Sequence, residues 1–148
     1  VVIAGHKAAV ERACEACKAV GAKRALMLAV SGPFHSQLLK GAAEKLAGRL
    51  AEISVNTPQF DVIANVNAEF EADADVIRRN LALQAASPVQ WVKTVRKMKA
   101  EGVTHVVECG PGRVLTGLIR RIDPTLETAN ISSAASIAEL VAKDGFHV

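Results

Sequence analysis

From Val62 onward the chain alternates short apolar runs with amphipathic stretches, and no other feature constrains its fold as tightly. Val62-Ile63-Ala64 and residues 104–109 and 125–130 read as strands. Residues 72–86, residues 87–101, a stretch opened by Gly110-Pro111-Gly112, and a last one from Ser132 or Ser133 read as helices. Strands that alternate with helices predict a parallel sheet with helices on its faces. In Ser87-Pro88-Val89-Gln90 the serine suits a cap, the proline a first turn and the glutamine a capping box, with Gly102 as the stop. Val114, Leu115, Leu118, Ile119 and Ile122 share one helix face, and Val76, Asn80, Leu83 and Ala86 share another.

The first third is organised differently. Val1-Val2-Ile3-Ala4 reads as a short strand, residues 7–20 as a helix stopped at Gly21, and residues 24–30 as a second strand. Strand, helix, strand at this spacing is half of a split βαβ or ferredoxin-like unit, whose remaining strands must come from elsewhere. The opening on a strand already under way, without Met, leads us to expect the C-terminal part of a longer protein. A long amphipathic helix is predicted from about Ser36, with Leu39, Ala42, Ala43, Leu46, Leu50 and Ile53 on one face. The junction between subdomains falls near residues 29–33.

Composition narrows the function classes. With 148 residues, 50% hydrophobic and 22% charged, the chain is a globular domain in size and not a disordered segment. Aromatics are 3% with no Tyr, which argues against base-stacking nucleic-acid modules. The net charge of +3 is mild. Lys93, Arg96, Lys97, Arg113, Arg120 and Arg121 read either as solvated helix faces or as a basic surface for an acidic partner. Three cysteines point to a reducing cytosol. Cys14 and Cys17 sit in an apolar helical stripe with Val10, Ala13 and Val20, and read as packing residues with no metal set around them. No apolar run is long enough to span a membrane.

The segment Ser31-Gly32-Pro33-Phe34-His35-Ser36 carries the clearest chemistry. A turn leaving a strand is where catalytic groups are mounted, and histidine ordinarily titrates near neutrality, so His35 reads as a general base or as a locally bonded loop residue. No Gly-x-Ser-x-Gly elbow supplies a nucleophile. Gln84 closes a helix, where carbonyls lack intrahelical donors and one could accept an imidazole Nδ1–H. Glu108 at a strand end could orient a histidine. Gly110-Pro111-Gly112 resembles a phosphate loop but fails the dinucleotide fingerprint and reads better as a tight turn. Phe34 and Trp91 read as core or wall, His105 as solvent-facing or locally packed, and His6 and His147 as isolated.

The same segment resembles the malonyl-CoA:acyl carrier protein transacylases of bacterial fatty acid synthesis. The resemblance runs nearly end to end, through Val1–Gly5, Ala22–Ala25, Ala42–Leu46, Ser87–Trp91 and Glu108–Leu118. It implies an α/β fold: a hydrolase-like parallel-sheet domain with an inserted ferredoxin-like subdomain. Residues 1–30 would be the end of the insert and residues 31–148 the C-terminal part of the acyltransferase domain. It further implies that His35 is the catalytic histidine, that the Gln84 carbonyl orients it, and that Phe34 shapes a malonyl-sized pocket.

The nucleophilic serine, the malonyl-binding arginine and the oxyanion-hole glutamine of such enzymes would lie in a missing N-terminal part. The implied reaction is ping-pong transfer of malonyl from malonyl-CoA to the phosphopantetheine thiol of acyl carrier protein in the cytoplasm. It uses no metal, no cofactor, no nucleic acid and no membrane. Two alternatives stand beside it: a non-catalytic module that binds a carrier protein or partner chain, and an acyltransferase domain of a polyketide synthase.

Overall fold

A computed structural model describes residues 1–142; His147 lies outside them. The described residues form an α/β structure with two compact units, 1–90 and 91–142.

In the first unit, α1 (Lys7–Ala19) ends at Val20. Gly21 N–H donates to the Lys18 carbonyl and Ala22 N–H to that of Cys17, the paired bonds that close a helix on a glycine. The α1 helix buries none of its residues, so Cys17 is exposed and Cys14 half-buried rather than packed. The expected strands at residues 1–4 and 24–30 are absent. A strand exists only when its backbone is paired, and among the described residues neither segment joins a sheet. Their side chains stand exposed, Val2 at 77% and Leu28 at 57%.

A 3-10 turn at Gln37–Leu39 leads into α2 (Lys40–Ala51), which packs against α3 (Ala74–Ala85). Helix α2 stops before Ile53, which is exposed. Between α2 and α3 lies a small hairpin, β1 (Val62–Ile63) and β2 (Phe70–Glu71). It is antiparallel, with Val62 opposite Glu71 and Ile63 opposite Phe70, so the predicted parallel alternation does not start here. Strands of two residues are too short to show a period-2 pattern, so β2 leaves no signal in the sequence. Helix α3 begins at Asp73, whose Oδ1 accepts the N–H of Asp75 and Val76 at 3.0 and 2.9 Å. Its face buries Asn80, Ala82 and the adjoining Ala86, while Leu83 is exposed. Asn80 Nδ2 donates to Glu71 Oε1 at 2.7 Å, a buried link from α3 back to the hairpin.

In the second unit, α4 (Trp91–Ala100) starts three residues later than Ser87-Pro88 suggests. Gln90 N–H is taken by the Asn65 carbonyl at 2.8 Å, so the chain reaches Trp91 still outside the helix. Gly102 and Val103 close α4 on the carbonyls of Lys99 and Met98. Strands β3 (His105–Cys109) and β4 (Glu127–Ile131) form the parallel pair, in register from His105 opposite Glu127 to Cys109 opposite Ile131. Helix α5 (Val114–Ile122) makes the crossover, and α6 (Ala134–Val141) follows with a capping box between Ser133 and Ser136. Val95, Ile119 and Leu126 form the core, packed by Trp91, Met98, Val103, Val106 and Ile122. Strand β3 is half-buried, with Cys109 exposed.

Candidate active site

The site is built on the C-terminal end of α3, where backbone carbonyls have no partner inside the helix. Ser87 N–H donates to the Gln84 oxygen in a long bond of 3.5 Å. The same oxygen accepts from His35 Nδ1 at 2.7 Å, across 49 residues of chain. Two residues on, Gln37 Nε2 donates to the Ala86 carbonyl at 3.1 Å. The turn between them is closed on itself. Ser36 Oγ donates to the Pro33 carbonyl at 2.7 Å, and Leu39 N–H donates to the Ser36 carbonyl at 3.0 Å. His35 sits in the left-handed region, φ 59°, a conformation uncommon outside glycine and one that costs roughly 1–3 kcal/mol where a scaffold enforces it.

This arrangement fixes the proton on the imidazole. A carbonyl oxygen only accepts, so Nδ1 carries the hydrogen. In the neutral ring Nε2 is then the unprotonated nitrogen, with its lone pair free to take a proton. His35 is exposed. Beside it, Phe34 is 53% exposed, and its ring lies over Gly32. A Cβ at residue 32 would stand 3.4 Å from the ring Cζ and 3.5 Å from Cε2, in ordinary van der Waals contact with the ring.

The structure thus brings His35 and Gln84 together and places Phe34 next in line. It gives Glu108 a different task from the one read in the sequence. Its carboxylate accepts from Leu115 N–H at 3.1 Å, Thr116 N–H at 2.8 Å and Thr116 Oγ1 at 2.7 Å, so it caps α5 and, among the described residues, orients no histidine. The Thr116 amide, then its hydroxyl, hold the Glu108 carboxyl below the usual carboxylate range, against partial burial that pushes the other way.

The turn between β3 and α5 needs the backbone freedom of glycine, with φ of 133° at Gly110 and 90° at Gly112. Asn130 Nδ2 ties it down by donating to the carbonyls of Glu108 and Gly110, both at 3.0 Å. The negative charge this helix start attracts is supplied from within the chain, which supports the tight-turn reading. His105 packs locally, with Nδ1 2.8 Å from Thr104 Oγ1 and Nε2 3.7 Å from Glu127. His6 precedes α1 without capping it. Among the described residues no three metal-ligating side chains converge, and no helix is long and apolar enough to cross a membrane.

Sequence reasoning missed Gln37 and Asn130. Asn130 left no local signal, because Glu127 and Thr128 make its strand polar as well. Gln37 binds a backbone atom 49 residues away, and no local pattern encodes such a contact.

No family model matches the chain. Individual relatives do. The malonyl CoA-acyl carrier protein transacylase of Escherichia coli strain K12 is 53% identical over 138 residues, covering 93% of this chain and 45% of the relative. That of Haemophilus influenzae is 51% identical over 136 residues, covering 92% and 44%. Among solved structures, an acyl-carrier-protein S-malonyltransferase from Burkholderia pseudomallei superposes with a TM-score of 0.87 at 50% identity, covering 91% of this chain and 44% of that one. A malonyl-transacylase in complex with a type II polyketide acyl carrier protein also superposes at 0.87, with 51% identity and coverage of 90% and 43%. The chain spans less than half the length of these relatives. Over nearly all of its own length, it is similar to the C-terminal portion of malonyl CoA-acyl carrier protein transacylases.

Proposed function

We propose that this chain is the histidine-bearing part of an acyltransferase that moves malonyl from malonyl-CoA to the phosphopantetheine thiol of acyl carrier protein. The observation that carries the reading is the strained His35, whose Nδ1–H is held by the Gln84 carbonyl so that Nε2 is left free. In the reaction, Nε2 takes the proton of a serine hydroxyl as its oxygen attacks the malonyl thioester. The C–S bond breaks, and the CoA thiolate leaves with the proton from the imidazolium. The carrier's thiol then gives its proton to Nε2 and attacks the malonyl ester, and the serine oxygen departs with that proton. The serine belongs to the length of the relatives that this chain does not span. No metal or cofactor enters these steps.

His35 is the catalytic residue, the Gln84 carbonyl orients it, and Phe34 lines the acyl pocket. We place residues 1–30 at the end of a ferredoxin-like subdomain and residues 31–148 in a hydrolase-like α/β domain, working in the cytoplasm. Supporting this division, the segments flanking α1 keep apolar side chains exposed. An acidic carrier protein as acceptor is supported by the relative solved with its carrier. Lys93, Arg96 and Arg121, exposed on α4 and α5, would face it.

The test is a chimera in which this chain replaces the matching residues of the Escherichia coli transacylase. The chimera should transfer malonyl to carrier protein within about tenfold of the parent rate. A chimera that folds, by circular dichroism and melting, yet neither binds malonyl-CoA productively nor transfers it would favour the non-catalytic module.

A further inference from the structure

We propose that Gln37 is a positioning residue for His35, a role that rests on the reading of His35 as the base. His35 occupies a left-handed conformation that its own backbone disfavours, so something must hold it there. Its bond to Gln84 alone leaves the ring free to swing about that one contact. Gln37 supplies a second point. Residues 35 and 37 donate to the carbonyls of residues 84 and 86, two parallel bonds between the same short turn and the same helix end.

The Ser36–Pro33 bond closes the turn internally but does not attach it to α3. Close to His35, Gln37 adds a second side-chain bond from the turn to the end of α3, beside the packing of α2 on α3 further along the chain. The amide orientation is dictated by its partner, because a carbonyl facing the Ala86 carbonyl would repel it. The Ala86 oxygen is a helix-end acceptor with no intrahelical donor, so the pairing also satisfies a group that would otherwise need water. Gln37 bonds to the end of α3 and not to the reacting nitrogen; it acts through His35.

The test combines a spectroscopic and a kinetic readout. In the chimera with 15N-labelled histidine, His35 should show Nδ1 protonated and Nε2 bare, assigned by loss of the signal in His35→Asn. Gln37→Glu keeps the side-chain shape but sets an acceptor against an acceptor. It should drive the His35 signal toward the mixed tautomers of a free imidazole, with the melting curve little changed. Gln37→Ala, which introduces no repulsion, should do the same to a smaller degree and covers the case where the glutamate variant does not fold.

In the chimera, Gln37→Ala should lower kcat about tenfold while leaving KM for malonyl-CoA unchanged. A folded Gln37→Ala chimera whose His35 keeps the unmixed Nδ1–H signature, or whose kcat is unchanged, overturns the assignment. Failure of the base reading itself looks different. There, His35→Ala leaves transfer intact while the Gln37 variants still shift the tautomer.

Discussion

At the C-terminal end of α3, the carbonyls of Gln84 and Ala86 accept hydrogen bonds from His35 and Gln37, whereas at the N-terminal end of α5 the amides of Leu115 and Thr116 donate to Glu108. Both ends meet a turn built from Gly and Pro, Gly32-Pro33 in one case and Gly110-Pro111-Gly112 in the other. The outcomes are opposite because the two helix ends carry opposite chemistry. Unpaired carbonyls can satisfy themselves with one nitrogen of an imidazole, and the ring's second nitrogen remains available. Unpaired amides call for an anion, and Glu108 supplies one whose oxygens are taken by Thr116 and Leu115. One helix end therefore leaves an imidazole nitrogen available, while the other is satisfied from within the chain.

The largest effect should come from the open end. In the chimera, His35→Ala should lower malonyl transfer by about 10²–10⁴-fold with folding intact, because a serine hydroxyl is a weak nucleophile without its base. Steady-state assay beside a melting curve checks this, and a loss under about tenfold removes His35 from the mechanism.

The neighbouring carbonyl comes next. Ala85→Pro should cut activity strongly, since a proline disfavours helical geometry at the preceding Gln84 and re-aims its oxygen. Gln84→Ala should do little, because the contact uses backbone. Equal damage from both would assign a role to the Gln84 side chain.

Phe34→Ser should shift selectivity toward methylmalonyl-CoA by about 1–3 kcal/mol, read as the ratio of kcat/KM in a competition assay. An unchanged ratio would leave Phe34 a structural residue.

The closed end should respond through stability and not through catalysis. The Glu108 carboxyl is held low in the folded state, so its contribution is present above the ordinary carboxylate range and is lost as pH falls through the lowered folded value. Glu108→Gln should therefore be less stable than the parent chain near neutrality, and the gap should narrow in acid. Asp123, held low first by the Thr125 hydroxyl and then by its amide, titrates in the same direction but is common to both proteins. Trp91, the single tryptophan, packs against the core of this unit and reports unfolding there. A stability gap that stays constant with pH would contradict the capping account.

How much of this was legible in the sequence follows the range of each interaction. Helix α5, the β3 and β4 strands it joins, and the helix ends at Gly21 and Gly102 were readable from local periodicity and glycine placement. The placement of Gln84 in a last helical turn was readable for the same reason. The strands expected at residues 1–4 and 24–30 were apolar enough to suggest pairing, but pairing depends on a partner that composition does not name. The Ser87-Pro88 signal misled because Asn65 claims the Gln90 amide. Glu108 was misread because an acidic residue at a strand end looks the same whether it orients an imidazole or caps the next helix. Gln37 was invisible because its partner is a backbone oxygen far along the chain.

The central claim, that His35 serves as the base through a bare Nε2, is tested most directly by the first turnover. Rapid mixing of the chimera with malonyl-CoA in the absence of carrier protein isolates the acylation step, read as a burst of free CoA. The account predicts a burst close to one CoA per active site, abolished on the same timescale by His35→Ala although malonyl-CoA still binds. A burst of undiminished rate in the His35→Ala chimera would contradict it.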